Sequence, residues 1–309
     1  MKIWILKAAV QKTISALPYK NRLNYIFQKH VTKRVQLTDE LFEDKLIHCA
    51  THVAAFEKYA TTEKDSALEI GTGWYPIVPI GLYLTGFSNI VSIDISPLVS
   101  RESVIAAVDR YSEYNRSGKL SVFLSKVDKT RLEKARELAS GRLSAFELMK
   151  EMGIRLVIGD AGLRNFRDDS FCLIHSNNTL EHINPQALRQ IFEDFKRILH
   201  PNGIMSHNID MSDHFAHLDQ SITSFNFLKF SDRQWRLIDN SIQPQNRLRI
   251  SDFERLLVAS GFELLDRKDR VGAEEHLRSV KLAAKYMSYP EKDLLVTHTQ
   301  LVSRKKNAA

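Results

Sequence analysis

From Thr61 onward the chain alternates short apolar runs with longer stretches in which apolar residues recur every three or four positions. Ala67, Leu68 and Ile70 form a first strand-like run that stops at Gly71, and a second apolar stretch runs from Trp74 to Leu84. The strand pattern returns at Ile90–Ser96, Arg155–Gly159, Cys172–His175 and Ile204–Ile209. Helices are predicted over 75–85, Thr130–Ala139 and Ser144–Met152, and from Asn184-Pro185 to Leu199, where a cap residue precedes a proline at the first helical position. Ser96-Pro97 reads as another cap-then-proline helix start, and Pro201-Asn202-Gly203 as a turn. Ile250–Ser260 reads as a helix stopped by Gly261. Strands at Phe262–Leu265 and Leu294–Val302 follow. Strands alternating with helices predict an α/β fold with a doubly wound, mostly parallel, seven-stranded sheet.

Two features lie outside that alternation. Ile3, Leu6, Val10, Ile14 and Leu17 share a helical face in a segment rich in lysine, with no acidic residue before Asp39. Such a helix either packs its apolar stripe on the domain or lies on a partner, an anionic membrane surface or nucleic acid. A second helix, Thr38 to Tyr59, carries Phe42, Leu46, Cys49, Val53 and Phe56 on one face, with Thr38 as its cap. Residues 1–60 therefore read as an N-terminal helical extension and 61–309 as the main domain. Within that domain about 60 residues separate the Asp94 strand from the Arg155 strand, far more than a crossover needs. A helical insertion at about 100–152 is expected, as a lid, a substrate-choosing element or padding at one edge.

Composition narrows the class. The 309 residues are 43% hydrophobic, and no run reaches the roughly 18 apolar residues of a membrane span. Two cysteines far apart, Cys49 and Cys172, sit in apolar settings and read as reduced core thiols, which implies a cytoplasmic location, membrane-peripheral if the basic helix engages lipid. The net charge of +7 concentrates in the N-terminal helix, and stacking platforms for nucleic acid are not evident.

The candidate chemistry begins at Glu69-Ile70-Gly71-Thr72-Gly73. Two glycines one residue apart, after a strand and before a helix, let the backbone take φ > 0 and approach a ligand. Glu69 is a carboxylate in an apolar strand end, expensive there without a partner. Asp94 ends the next strand about 20 residues on, where a carboxylate can accept hydrogen bonds from a ribose. The third glycine position of a dinucleotide fingerprint is taken by Pro76.

Glu69-x-Gly71-x-Gly73 instead resembles the first motif of class I S-adenosylmethionine (SAM)-dependent methyltransferases. Val157-Ile158-Gly159-Asp160-Ala161 is similar to their third-strand motif, Phe171–Ile183 to their fourth strand and its loop, and Phe195–Gly203 to the helix and turn before their fifth. The resemblance covers roughly 65–210 and implies the family's antiparallel finish to the sheet, SAM as cofactor, and methyl transfer. It places Gly71, Gly73 and Glu69 at the amino-acid part of SAM, Asp94 at the ribose, Asp160 with Ala161 at the adenine, and Asn177 along the cofactor. The loop Ser176-Asn177-Asn178-Thr179-Leu180-Glu181-His182 lacks the Pro-Pro-aromatic signature of exocyclic-amine methylation and matches small-molecule enzymes.

Asp210, Asp213 and Asp219 with His214 and His217 form the densest polar cluster. It suits substrate binding or proton transfer, and its residue types also suit a metal such as zinc or manganese. We assign His182, then His214 and His217, as candidate bases, and Glu181, Asp210 and Asp213 as acceptor-binding residues, with no metal. The expected acceptor is an oxygen or nitrogen of a small polar molecule, a sugar or glycan precursor. RNA or protein methylation, and a non-catalytic SAM-binding scaffold, are the alternatives.

Overall fold

The computed structural model describes residues 3–15, 36–159, 163–241 and 243–306. Strands β1 (Ser66–Ile70), β2 (Asn89–Asp94), β3 (Ile154–Ile158), β4 (Phe171–Asn177), β5 (Leu199–Asp210), β6 (Phe262–Val271) and β7 (Val296–Lys305) form one sheet in the order β3-β2-β1-β4-β5-β7-β6. The first five are parallel to their neighbours, and β7 runs antiparallel to both β5 and β6. The expected doubly wound sheet with an antiparallel finish is therefore present.

Helices α1 (Ile3–Ser15), α2 (Asp39–Tyr59), α3 (Ile77–Leu84), α4 (Arg101–Arg116), α5 (Lys129–Ser140), α6 (Ala145–Glu151), α7 (Pro185–Ile198), α8 (Asp232–Ile238) and α9 (Ile250–Ala259) accompany the sheet. Successive strand residues face opposite layers, so Ala67 and Ile90 join one core with α2 to α6 while Leu68 and Val91 join the other with α7 and α9. In α2 the predicted stripe of Phe42, Leu46, Cys49, Val53 and Phe56 is buried, and Thr38 Oγ1 accepts from Leu41 N–H. Val104, Tyr111, Leu132 and Leu148 of the helices between β2 and β3 fill the same core as α2 and α3.

Several boundaries differ from the sequence reading for local reasons. Helix α4 starts after Ser100, which forms a capping box with Ser103, because the Ser96 N–H is already donated to Asp94 Oδ1. Pro201-Asn202-Gly203 does not end the strand. It lies in an irregularity of β5, whose pairing jumps from Phe171↔Leu199 to Leu173↔Ile204. Gly203 is needed there because a Cβ would stand 2.6 Å from the Cys172 carbonyl oxygen. Helix α1 buries Trp4, Lys7, Ala8 and Gln11 and leaves Ile3 and Leu6 exposed, the reverse of the predicted stripe. The largest apolar side chain decides the orientation, since Trp4 packs its ring 5.9 Å from those of both Phe215 and Phe230. Leu17 and Pro18 lie outside the described residues. Phe225, Phe227 and Trp235 belong to this third core as packing. Among the described residues no helix is long and apolar enough to cross a membrane.

The centre of the sheet carries an unusual load of buried imidazole. His52 (α2) contacts Ser206 Oγ at 2.8 Å and Asn177 Oδ1 at 2.9 Å. His207 Nδ1 contacts Ser176 Oγ at 2.8 Å. His175 is fully buried, and neither of its nitrogens has a hydrogen-bond partner. Burial lowers all three, His52 to about 4, His207 to about 3 and His175 well below the ordinary imidazole value. Depressed values mean that the unfolded chain binds more protons than the folded one below about pH 6.5. Stability should therefore be fully present above that pH and fall as pH drops toward 4, with a slope approaching roughly 4 kcal/mol per pH unit if all three sites take part. In urea titrations between pH 7.5 and 5, His175→Leu should reduce the slope by up to roughly 1.4 kcal/mol per pH unit, the contribution of one group. An unchanged slope would remove His175 from the account.

Candidate active site

The site is built where the strand order reverses, between β1 and its neighbours β2 and β4, the place at which open α/β sheets hold ligands. The chain leaves β1 with Gly71 at φ +87° and Gly73 at φ +70°. Gly71 N–H donates to the Ile93 carbonyl at 2.8 Å, and a Cβ on Gly71 would lie 2.1 Å from Thr179 Oγ1. The loop is thus clamped between β2 and the residues after β4.

Glu69 fastens the three strands beneath the loop. Ser92 Oγ donates to its Oε2, Asn177 Nδ2 donates to its Oε1 at 3.1 Å, and Thr72 Oγ1 lies 2.6 Å from Ser92 Oγ. Burial pushes its carboxyl up to about 7, against the lowering effect of the Ser92 and Asn177 hydrogen bonds. Asp94 receives Gly73 N–H on Oδ2 and Ser96 N–H on Oδ1, each at 2.9 Å. Those two bonds hold the carboxylate at the mouth of the loop and leave each oxygen a further lone pair.

Glu69, Gly71, Thr72, Gly73, Asp94 and Asn177 line a cleft of about 510 Å³ that also takes in His182, Lys45, Ser241, Gln243 and Pro244. His182 Nδ1 lies 2.5 Å from the Pro244 carbonyl. A carbonyl can only accept, so Nδ1 carries the proton and Nε2 the lone pair. Burial, then neighbouring His214, lowers the ring to about 4, so it is neutral at pH 7. No residue of the insertion helices α4 to α6 lines the cleft.

Residues 106–206, from α4 through β5, match the family described as Methyltransferase domain. That stretch is about a third of the 309-residue chain and carries the methyltransferase-domain match. Among solved structures the chain is similar to an S-adenosylmethionine-dependent methyltransferase from Clostridium acetobutylicum, at 11% identity and a TM-score of 0.46, with 94% of this chain and 100% of that one covered. It is also similar to one from Mesorhizobium loti, at 13% identity and a TM-score of 0.44, covering 84% and 100%. No curated protein matches the sequence.

The fold brings some of the expected site residues together and separates others. Glu69, Gly71, Gly73, Asp94, Asn177 and His182 share the cleft. Asp160 and Ala161 lie outside the described residues. Glu181 and His214 stand behind His182, the two imidazole centroids being 5.0 Å apart. Asp210, at the end of β5, has Oδ2 3.3 Å from His214 Nε2 and 3.7 Å from His217 Nε2, with Oδ1 3.4 Å from His298 Nε2. Burial opposes its ionisation, but His214 and His298 hold it well below the usual carboxylate range. His217 is part-exposed at the far side of Asp210, and it shares a turn with His214, not a helix face. Asp213 is fully buried outside the cleft, accepting from Phe215 N–H at 2.8 Å and Asn226 Nδ2 at 3.0 Å, and so serves the loop's own structure.

Three parts of the cleft escaped the sequence reading. Leu41 and Lys45 of α2 roof it, Thr179 braces the glycine loop, and Gln243 with Pro244 closes the side next to His182. Leu41 and Lys45 sit four apart beside the apolar stripe of α2, so the helix face was legible though its position over the loop was not. The 241–244 loop has no local signature.

Proposed function

We propose that this chain is a SAM-dependent methyltransferase that acts on a hydroxyl oxygen of a small polar acceptor of the sugar type. The observation that carries the reading is His182: a neutral imidazole on the cleft wall, its tautomer fixed by the Pro244 carbonyl, with Nε2 left as an acceptor.

The residues present suit SAM. Gly71 and Gly73 allow close approach of a ligand to the backbone, Asp94 offers lone pairs to the ribose hydroxyls, and Lys45 supplies a cation for the cofactor's carboxylate. Glu69 orders the loop through Ser92 and Asn177. When bound, SAM supplies a methyl group on a positively charged sulfur, which an acceptor oxygen displaces in line as the hydroxyl loses its proton. His182 Nε2 is placed to take that proton, and a neutral ring at pH 7 is always ready to do so. Of the lining residues, Asn177, Asn178, Thr179, Ser241 and Gln243 offer polar groups that suit a polyol better than an apolar ring.

The test uses SAM labelled in the methyl group, offered with sugars and nucleotide sugars, with transfer RNA, and with a protein mixture. Label in the sugar fraction, reduced about 100-fold or more by His182→Ala while SAM affinity changes by less than about threefold, is the expected result. Label confined to RNA or protein would replace this reading, and no transfer to any class would favour a SAM-binding scaffold. An unaltered turnover in His182→Ala would remove that residue as the base.

A further inference from the structure

Behind the wall formed by His182 lies a group of side chains that the reaction above leaves unexplained. Glu181 is 2% exposed, and neither of its carboxylate oxygens makes a hydrogen bond. Burial first, and then the neighbouring buried Asp210, disfavour a negative charge at Glu181. Among the described residues neither carboxylate forms an ion pair with a lysine or arginine. A buried carboxyl without a partner is costly in either protonation state, because the ion lacks a counter-charge and the acid lacks an acceptor for its proton.

The missing partner can be read from what surrounds it. One donor atom each from Glu181, His182 and His214 lies within 4.8 Å of the other two. The His182 ring is fixed by its Nδ1–H bond to the Pro244 carbonyl, the backing that orients metal-bound imidazoles. His214 is 8% exposed, its Nε2 makes no hydrogen bond, and Asp210 Oδ2 stands 3.3 Å from that nitrogen. A carboxylate beside an imidazole is the other common backing of such a ligand.

We propose that Glu181, His182 and His214 bind one divalent transition-metal ion of zinc's class at the cleft wall that His182 forms. Two imidazoles and one carboxylate favour zinc, iron, cobalt or manganese over magnesium or calcium, which take oxygen ligands. Three protein ligands leave coordination open for an exogenous oxygen. The inference rests on the reading that an acceptor hydroxyl arrives beside His182. With the ion bound, Nε2 of His182 is a ligand, and the ion lowers the pKa of the hydroxyl it holds, whose proton leaves to water. Without the ion, His182 Nε2 can still take the proton, but the hydroxyl is no longer polarised and transfer should slow.

The test strips the full chain with a chelator and titrates it with cobalt(II), followed by visible absorption and by metal analysis after dialysis. About one equivalent should bind with bands of low-symmetry cobalt, and zinc should displace it. Glu181→Gln, which keeps the size of the side chain, and His214→Asn should each weaken cobalt binding about 30-fold or more, with S-adenosylhomocysteine affinity within about threefold. Zinc should also raise the melting temperature of the parent chain, a readout that needs no variant. Background binding by the parent, or equal binding by the Glu181→Gln chain, would overturn the proposal. Transfer to a sugar by the stripped enzyme at full rate would do the same while leaving the oxygen-methylation reading intact. Metal binding with no transfer to any hydroxyl would leave the ion site standing and remove that reading.

Discussion

Replacing Gly71 by alanine is expected to abolish measurable cofactor binding and to destabilise the domain. Two independent effects add at this position. Its φ of +87° is a conformation that an L side chain enters at a cost of about 1–2 kcal/mol. The new Cβ would also meet Thr179 at 2.1 Å from Oγ1, 2.8 Å from Cγ2 and 3.0 Å from Cβ. Threonine is branched at Cβ and stiff, so the loop must move and not the neighbour. A shift of even an ångström misplaces the backbone that approaches the cofactor and the Gly73 N–H that holds Asp94. The expected loss is about 100-fold or more in S-adenosylhomocysteine affinity and about 2–4 kcal/mol of stability, read by calorimetry and urea unfolding. Gly73→Ala is the control. Its φ of +70° is strained too, but a Cβ there meets nothing within 4 Å, so stability should fall by only about 1 kcal/mol. Adding Thr179→Ala to Gly71→Ala should restore part of the loss by removing the two closest atoms. Equal stabilities for the two glycine variants would show that the clash with Thr179 has no effect.

The second large effect concerns Arg249, which is fully buried. Its guanidinium donates to the carbonyls of Met211 at 2.7 Å, Leu294 at 2.9 Å and Val296 at 2.5 Å. One side chain thereby joins the loop after β5, the entry to β7 and the start of α9. Burial lowers its pKa to about 10, while Asp252 and Asp210 among other neighbours favour the charged form, so it remains charged at neutral pH. Arg249→Met would fill much of the space but leave the three carbonyls without that donor. Bonds from a charged donor contribute roughly 1.5–3 kcal/mol each, and a loss of about 4–6 kcal/mol is expected, a large part of a typical domain's stability. Arg249→Lys keeps the charge but not the planar fork, and should lose about half as much. Urea unfolding checks both; a loss below about 1.5 kcal/mol for the methionine variant would contradict the assignment.

The parts of this chain that were legible in the sequence are those with a strong local pattern. Ala67 to Gly73 announces a strand and a tight turn, Asp94 falls at the right distance, and the α2 stripe from Phe42 to Phe56 has a clear helical period. What escaped depends on tertiary competition. Ser96 looked like a helix cap, but Asp94 takes its N–H and the helix starts at Ser100 instead. The apolar stripe of α1 lost to Trp4, whose single large ring finds Phe215 and Phe230. Pro201-Asn202-Gly203 looked like a turn, and the sheet absorbed it as an irregularity. In the site, Glu69 and His182 were readable from their place beside strand ends. Lys45 over the cleft, Pro244 against His182 and the unpartnered state of Glu181 were not, because nothing local in the sequence encodes which distant backbone closes over a side chain.

The account rests most directly on what the cleft between Gly71, Asp94 and Asn177 binds. Calorimetric titration of the purified chain with S-adenosylhomocysteine, with NAD as the comparison ligand, measures this. Expected are micromolar binding of the homocysteine compound, no comparable heat with NAD, and a loss of about 100-fold in Asp94→Ala, whose carboxylate accepts from the Gly73 N–H and is the proposed ribose ligand. Preference for NAD, or homocysteine-compound binding that survives Asp94→Ala unchanged, would contradict the account.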